Sequence, residues 1–234
     1  EFEDKKKIFK NFNSYNDYFN KRGIIIDQNY RKKLIEKQLQ KISERKNVNL
    51  EINVKLLNEV VDLVEQPHIL SCKFDQKFLE IPEEILIITM QHHQKYFHTF
   101  DQKGNITNEF FVVANVKDNK GFIKIGNERV VDARLSDASF FWEKNKSQNL
   151  IKQISKLKSI NYFEGLGSYF DKVQRMRKLG ALISDEMLIS KEKIELLTSI
   201  CKIDLISDIV NEFPELQGVI GGYFASSQGF DKDI

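Results

Sequence analysis

Strand-forming sequence is confined to the middle of this chain, and that distribution limits the fold more than any other feature. His68 to Phe74 alternates apolar and polar residues after Pro67, while Tyr96 to Phe100 and Glu109 to Asn115 are aromatic and β-branched runs. Between the last two lies Asp101-Gln102-Lys103-Gly104-Asn105, the composition of a hairpin turn. Upstream and downstream, apolar residues recur at helical spacing instead. The expected class is therefore α+β, with a mixed domain over residues 1–156 that begins with helices, followed by an all-helical domain over 157–234.

Residues 1–46 read as two helices parted near Gly23 to Asp27, the second carrying Tyr30, Leu34, Ile35, Leu39 and Ile42 on one stripe, with Asp27 as its cap. Val54 to Val64 forms a third. Pro82 opens a helix whose first turn holds Glu83 and Glu84 and whose body, Ile85 to Met90, is apolar all round, so it should be buried. The polar run Gln91-His92-His93-Gln94-Lys95 then closes it. Gly121 to Lys146, periodic and free of Pro, should be the principal helix of the first part. At 100° per residue, Val131, Leu135, Ala138, Phe141 and Trp142 share a stripe that also holds Asn127 and Arg134. A desolvated charge there needs a carboxylate, carbonyl groups or a bound phosphate as partner. Phe140 falls on the opposite side near Arg129, which implies cover on two faces by another domain or a partner subunit.

Residues 147–166 read as a connection with a short helix, ending in Gly165-Leu166-Gly167-Ser168. Beyond it, helices are expected near Tyr169 to Ile183, Lys191 to Val210 and Leu216 to Ala225. Asp204 falls on the stripe of Ile194, Leu197, Ile200 and Cys201, where an apolar residue is expected. Gly218, Gly222 and Ala225 share one face and read as devices for close packing.

A charge balance of 36 basic against 34 acidic residues leaves +2, so any basic surface must arise from local arrangement. Cys72 and Cys201 lie far apart and form no C-x-x-C pair, which fits reduced thiols in a cytoplasmic setting. No apolar run approaches the ~18 residues of a membrane span, and the segment after Glu1 lacks the apolar region of a secretory signal. The start at Glu1 without Met and the stop at Ile234 suggest a piece of a longer chain. The four histidines, His68, His92, His93 and His98, do not supply a metal set at workable spacing, and no metal is expected. G-x-S-x-G, H-E-x-x-H, Walker A and complete G-x-G-x-x-G patterns are all missing. The residues alone identify no catalytic site.

Several long, ordered strings carry more. They are Ile81-Pro82-Glu83-Glu84 leading to T-M-Q-H-H-Q-K-Y-F at Thr89 to Phe97, F-V-V-A-N at Phe111 to Asn115 and G-N-E-R-V at Gly126 to Val130. A-R-L-S-D-A-S-F-F follows at Ala133 to Phe141, then L-G-S at Leu166 to Ser168 with Asp171-Lys172-Val173, and E-F-P-E-L-Q-G at Glu212 to Gly218. In these the chain resembles the β subunit of the bacterial tetrameric glycyl-tRNA synthetase over most of residues 65–225, and only loosely over the first 60.

The resemblance implies a B3/4-like α+β domain, similar to one in phenylalanyl-tRNA synthetase β chains, leading into a partial HD-like helical domain, in a family whose chain extends past both ends of this one. It implies an α2β2 assembly in which the α subunit activates glycine with ATP and Mg²⁺, while the β subunit supplies tRNA(Gly) recognition and assembly. On that basis this segment holds no catalytic residue and no cofactor, and is expected to be inactive alone. The candidates for phosphate contact are Lys95, Arg129, Arg134, Lys172 and Arg175, each with an alternative role in an intramolecular ion pair. Two positions depart from the family pattern: Phe170 stands where a tyrosine is usual, and Gly222 where an arginine is usual, which argues against tRNA contact at Tyr223. The HD label implies metal phosphohydrolase chemistry in the wider superfamily, yet residues 165–234 contain no histidine. A hydrolytic alternative, a B3/4-type deacylase or an HD-type phosphohydrolase, stands beside the leading expectation, and a purely scaffolding role is the third.

Overall fold

Short polar side chains set the starts of the first three helices. Asn11 accepts from the Ser14 N–H (2.9 Å) to begin α1 (Phe12–Asn20), Asp27 accepts from the Tyr30 N–H (2.9 Å) to begin α2 (Gln28–Lys46), and Asn53 accepts from Lys55 and Leu56 to begin α3 (Val54–Leu63). Asn47, in the left-handed region at φ 54°, ends α2. The computed structural model describes residues 7–149, 151–187 and 190–231. It divides into one unit of Glu1–Glu83 with Thr89–Arg134 and another of Glu84–Ile88 with Leu135–Ile234, so the division falls inside the helix over Phe122–Lys146.

In the first unit, β1 (His68–Lys73) is followed by α4 (Glu83–Ile88), whose Glu84–Ile88 segment groups with the second unit. The expected helix through Met90 ends instead in one π-helical turn, Thr89–His93, which buries Thr89 and Met90 while His92 and His93 face outward. The hairpin forms as expected: β2 (Phe97–Phe100) and β3 (Ile106–Ala114) pair antiparallel, Phe97 opposite Phe111. Asp101 accepts from the N–H groups of Lys103 and Asn105 to fix their turn. β1 pairs with the other edge of β3, Lys73 opposite Glu109 and His68 opposite Ala114, giving the order β1-β3-β2. One sheet face, through Ile69, Phe97, Phe111 and Val113, joins Ile35 and Leu39 of α2 and Leu57 and Val61 of α3 in a single core. On the other face Phe110 stacks against Phe74 (6.3 Å) and Tyr96 (5.3 Å). Asn115 accepts from the N–H groups of Glu65 (2.8 Å) and Gln66 (2.9 Å), so this residue of the F-V-V-A-N string holds the turn before β1.

The long helix α5 (Phe122–Lys146) buries Val131, Leu135, Ala138 and Trp142 as its stripe requires. Arg134 is exposed, contrary to the expectation of a desolvated charge: it lies about 60° from the stripe's centre, and its long side chain reaches water from the edge. Asn127 instead joins the interior, receiving the Tyr96 hydroxyl and donating to the Ile123 carbonyl. Phe140, 63% exposed, meets the ring of Phe141, and the second cover expected for it is not supplied by the described residues.

The second unit is not all-helical. After a 3-10 segment over Ile151–Ser159, β4 (Asn161–Phe163) and β5 (Gly167–Ser168) pair as a small hairpin before α6 (Tyr169–Met187). Two- and three-residue strands are too short to print an alternation in the sequence. The helix expected over Lys191 to Val210 breaks into α7 (Lys191–Ile200), a 3-10 turn at Ile203–Ile206 and α8 (Asp208–Glu212), which Ser207 caps. Cys201 is exposed, not on a buried stripe. The last helix, α9 (Val219–Ser227), follows a 3-10 turn at Pro214–Leu216. Trp142 and Phe224 stack at 5.5 Å in the interior of this unit.

Asp204 is 1% exposed, and its role differs from that of a helix-stripe residue. Its Oδ2 accepts from the Gly218 N–H at the start of α9, 14 residues on, so the carboxylate replaces a local cap. Gly221 is the glycine that permits the approach, since a Cβ there would lie 3.2 Å from Oδ2; one at Gly222 would meet nothing. Burial raises the Asp204 pKa, the Gly218 N–H opposes the rise, and Oδ1 has no hydrogen-bond partner among the described residues. Asp204→Ala, which strips the start of α9 of its acceptor, is expected to cost about 2 kcal/mol in denaturant unfolding. Asp204→Asn keeps the acceptor without a buried charge and should stay close to the parent.

His98, 4% exposed, meets the Gln91 amide at Nδ1 (3.0 Å), and burial lowers its pKa from 6.5 to about 4. Below pH 6.5 the unfolded chain therefore binds a proton that the folded chain refuses. Stability should fall by about 3 kcal/mol as pH drops from about 6.5 to 4. Stability measured against pH should show this slope, and it should flatten in His98→Gln.

Candidate nucleic-acid interface

Residues 151–178 hold seven lysines and arginines against Glu164 and Asp171 alone, a local excess that the chain's overall balance of +2 conceals. The fold gathers part of this excess around the β4–β5 hairpin and the first turns of α6. Asn161 pairs with Ser168 and Phe163 with Gly167, while the Tyr169 N–H returns to the Ile160 carbonyl at 2.9 Å. Gly165 and Gly167 adopt φ of 75° and 78°, conformations that side chains other than glycine's rarely take. Gly167 also lies so close to α6 that a Cβ would stand 2.5 Å from Oδ2 of Asp171. That carboxylate accepts from both the N–H and the hydroxyl of Ser168 (2.8 Å each), closing the helix start. The backbone bond from Ser168, then its hydroxyl, then the fields of Arg175 and Lys158 hold the Asp171 pKa below the usual carboxylate range.

Two of the five candidate residues meet here. Lys172 Nζ lies 4.0 Å from the ring centroid of Tyr162 and 5.6 Å from that of Tyr169, and the two rings meet edge to face at 5.3 Å. Arg175 Nη1 donates to the Leu166 carbonyl (3.0 Å), which braces the hairpin tip against α6. Lys158 Nζ lies 4.9 Å from the ring centroid of Phe170. Such a contact uses the ring face, so the hydroxyl absent at Phe170 is not needed for it. The result is cations interleaved with aromatic rings on a braced hairpin, with Phe163 68% and Leu166 49% exposed.

The other three candidates belong to the first unit. Lys95 adopts φ 59° after the π-helical turn and pairs with Glu59 of α3 at 2.6 Å, the contact that leads the lowering of the Glu59 pKa. Arg129 and Arg134 are both exposed on α5, and five residues of helix turn them about 140° apart. Tyr223 donates to Glu84 (2.8 Å) and meets Trp142 edge to face at 6.0 Å, so its hydroxyl is used within the second unit. Reading 147–166 as a connection with a short helix gives no role to Lys158, Tyr162 or Phe163. The available signal was the interleaving of basic and aromatic residues from Lys156 to Lys172.

The whole chain, residues 1–234, matches a family profile described as "Glycyl-tRNA synthetase beta subunit". The chain belongs to that family. Relatives named glycine–tRNA ligase beta subunit include one from Thermodesulfovibrio yellowstonii, 38% identical over 223 residues, which cover 94% of this chain and 33% of the relative. One from Streptococcus agalactiae is 37% identical over 221 residues (92% and 32%), and one from Rickettsia felis 34% over 235 (99% and 34%). The chain thus spans about a third of the length of the curated relatives it matches. Among the described residues, no helix is long and apolar enough to cross a membrane. In this family member, replacing Gly167 by Ala places a Cβ at a positive φ and against Asp171. The second unit should lose about 1–2 kcal/mol in unfolding experiments, whereas Gly222→Ala, facing open space, should not lose stability.

Proposed function

We propose that this chain is a segment of a glycyl-tRNA synthetase β subunit that supports tRNA(Gly) recognition and α/β assembly in a cytoplasmic α2β2 enzyme. In this reading the α subunit activates glycine with ATP and Mg²⁺, and the present segment is inactive alone. Residues 1–156 serve as the B3/4-like domain and 157–234 as part of the HD-like domain. The observation that carries the tRNA part is the pairing of Lys172 and Arg175 with Lys158 and the rings of Tyr162, Tyr169 and Phe170 on one corner. A phosphate backbone is a polyanion, and cations held on a fixed frame neutralise it with less loss of side-chain freedom than mobile ones. Lys95, Arg129 and Arg134 are weaker candidates: Lys95 already neutralises Glu59, and the two arginines face different directions on α5.

The reading is tested in the full-length β chain assembled with its α subunit. Lys172→Glu combined with Arg175→Glu should weaken tRNA(Gly) binding at least tenfold and reduce the slope of log affinity against log salt by about 2. Glycylation at limiting tRNA should fall in step. Unchanged binding and salt slope, with the assembly intact, would exclude this corner from tRNA recognition.

A further inference from the structure

Phe163 is the residue of this corner that the fold leaves without work. Its neighbours are engaged: Tyr162 and Tyr169 face Lys172, Phe170 faces Lys158, and the Leu166 carbonyl holds Arg175. The Phe163 ring, 68% exposed, stands on β4 where its strand partner is Gly167, which offers no side chain to cover it. The hairpin beneath is fixed at three points: the Leu166 N–H to the Phe163 carbonyl (3.0 Å), the Tyr169 N–H to the Ile160 carbonyl, and the Ser168–Asp171 pair. A single exposed ring is ordinary on a protein surface; what sets Phe163 apart is its place on a braced turn among Lys158, Lys172 and Arg175.

We propose, resting on the tRNA reading above, that the β4–β5 tip is a stacking platform for an unpaired nucleotide of the RNA. The face of Phe163 receives the base, Leu166 extends the apolar floor, and Arg175 with the exposed Lys156 and Lys158 meets the flanking phosphates. Charge decides between partners, because residues 151–178 hold seven cations against two carboxylates, and even with Arg177 paired to Glu195 and Asp171 committed to Ser168 the excess suits a polyanion. Ring chemistry decides between RNA forms. In an A-form duplex the bases are stacked on one another and the accessible groove shows hydroxyls and phosphates, none of which gains from a phenyl ring. An unpaired base offers its π-face, and phenylalanine, which has no polar group to read a base edge, takes that face with little sequence preference.

The test uses the full-length β chain with its α subunit, and three probes: tRNA(Gly), a short single-stranded RNA and a blunt RNA duplex. Phe163→Ala should weaken binding of the tRNA and the single strand by about fivefold to a hundredfold and leave the duplex unaffected, while Phe163→Trp should restore or exceed parental affinity. Thermal melting and the sedimentation of the α/β assembly should be unchanged, since the ring is mostly in water. Loss of tRNA binding in the Lys172→Glu/Arg175→Glu protein but not in Phe163→Ala would overturn the stacking platform and leave the tRNA reading standing. No change in either protein would overturn both. Weakened α/β assembly in Phe163→Ala, with single-strand affinity unaltered, would make the tip a protein contact and overturn the platform too.

Discussion

Phe110 and Phe111 are neighbours on β3, and both are fully withdrawn from water. Successive side chains of a strand point to opposite faces, so this pair requires β3 to be covered on both sides. The rest of the first unit follows from that requirement. Phe111 draws α2 and α3 onto one face, where Ile35, Leu39, Leu57 and Val61 complete the core. Phe110 draws Phe74 and Tyr96 onto the other, and the Tyr96 hydroxyl, which needs a partner once its ring is buried, fixes the first half of α5 through Asn127. Placing β3 between β1 and β2 satisfies its backbone on both edges.

Several polar residues buried beside this core are held in place by specific partners. Glu109 is 8% exposed, and burial alone would raise its pKa; the Ser71 hydroxyl and the Lys46 ammonium at 2.9 Å outweigh that and keep it low. Thr99 donates to the Glu109 carbonyl at 2.6 Å. In the second unit Asn145, 1% exposed, accepts from the Ile209 N–H and donates to Asp208, and Asp204 plays the matching part for α9. Ser190 and Ser207 cap α7 and α8 locally, while Asn145 and Asp204 tie the starts of α8 and α9 to side chains farther away in sequence.

The candidate interface has a different physical character from either core. Its cations are not buried, and its rings are spent on ammonium groups instead of on a hydrophobic interior. Cation–π contacts at exposed sites stabilise folding by only about 0.5–1 kcal/mol each. Their effect here is mainly positional, since a lysine held over a ring presents its charge at a defined place.

Much of the first unit was legible in the sequence. The cap at Asp27 and the turn at Asp101–Asn105 depend on local hydrogen bonds, the hairpin on aromatic and β-branched runs either side of that turn, and α5 on an unbroken period, so each is encoded within a few turns of chain. The family was legible too, because ordered strings such as Thr89 to Phe97 survive as text whatever their contacts are. Tertiary structure decided what local pattern does not contain. It exposed Arg134, because a stripe's edge is a matter of what packs against the helix. It assigned the close approach to Gly221 instead of Gly222 and set Asp204 over a helix start 14 residues away. It also joined Lys158, Lys172 and Arg175 around a hairpin too short to leave a periodic trace. The physical reason is common to all of these: hydrogen bonds and periodicity act between residues near in sequence, whereas burial, long-range capping and the gathering of charge act between residues near only in space.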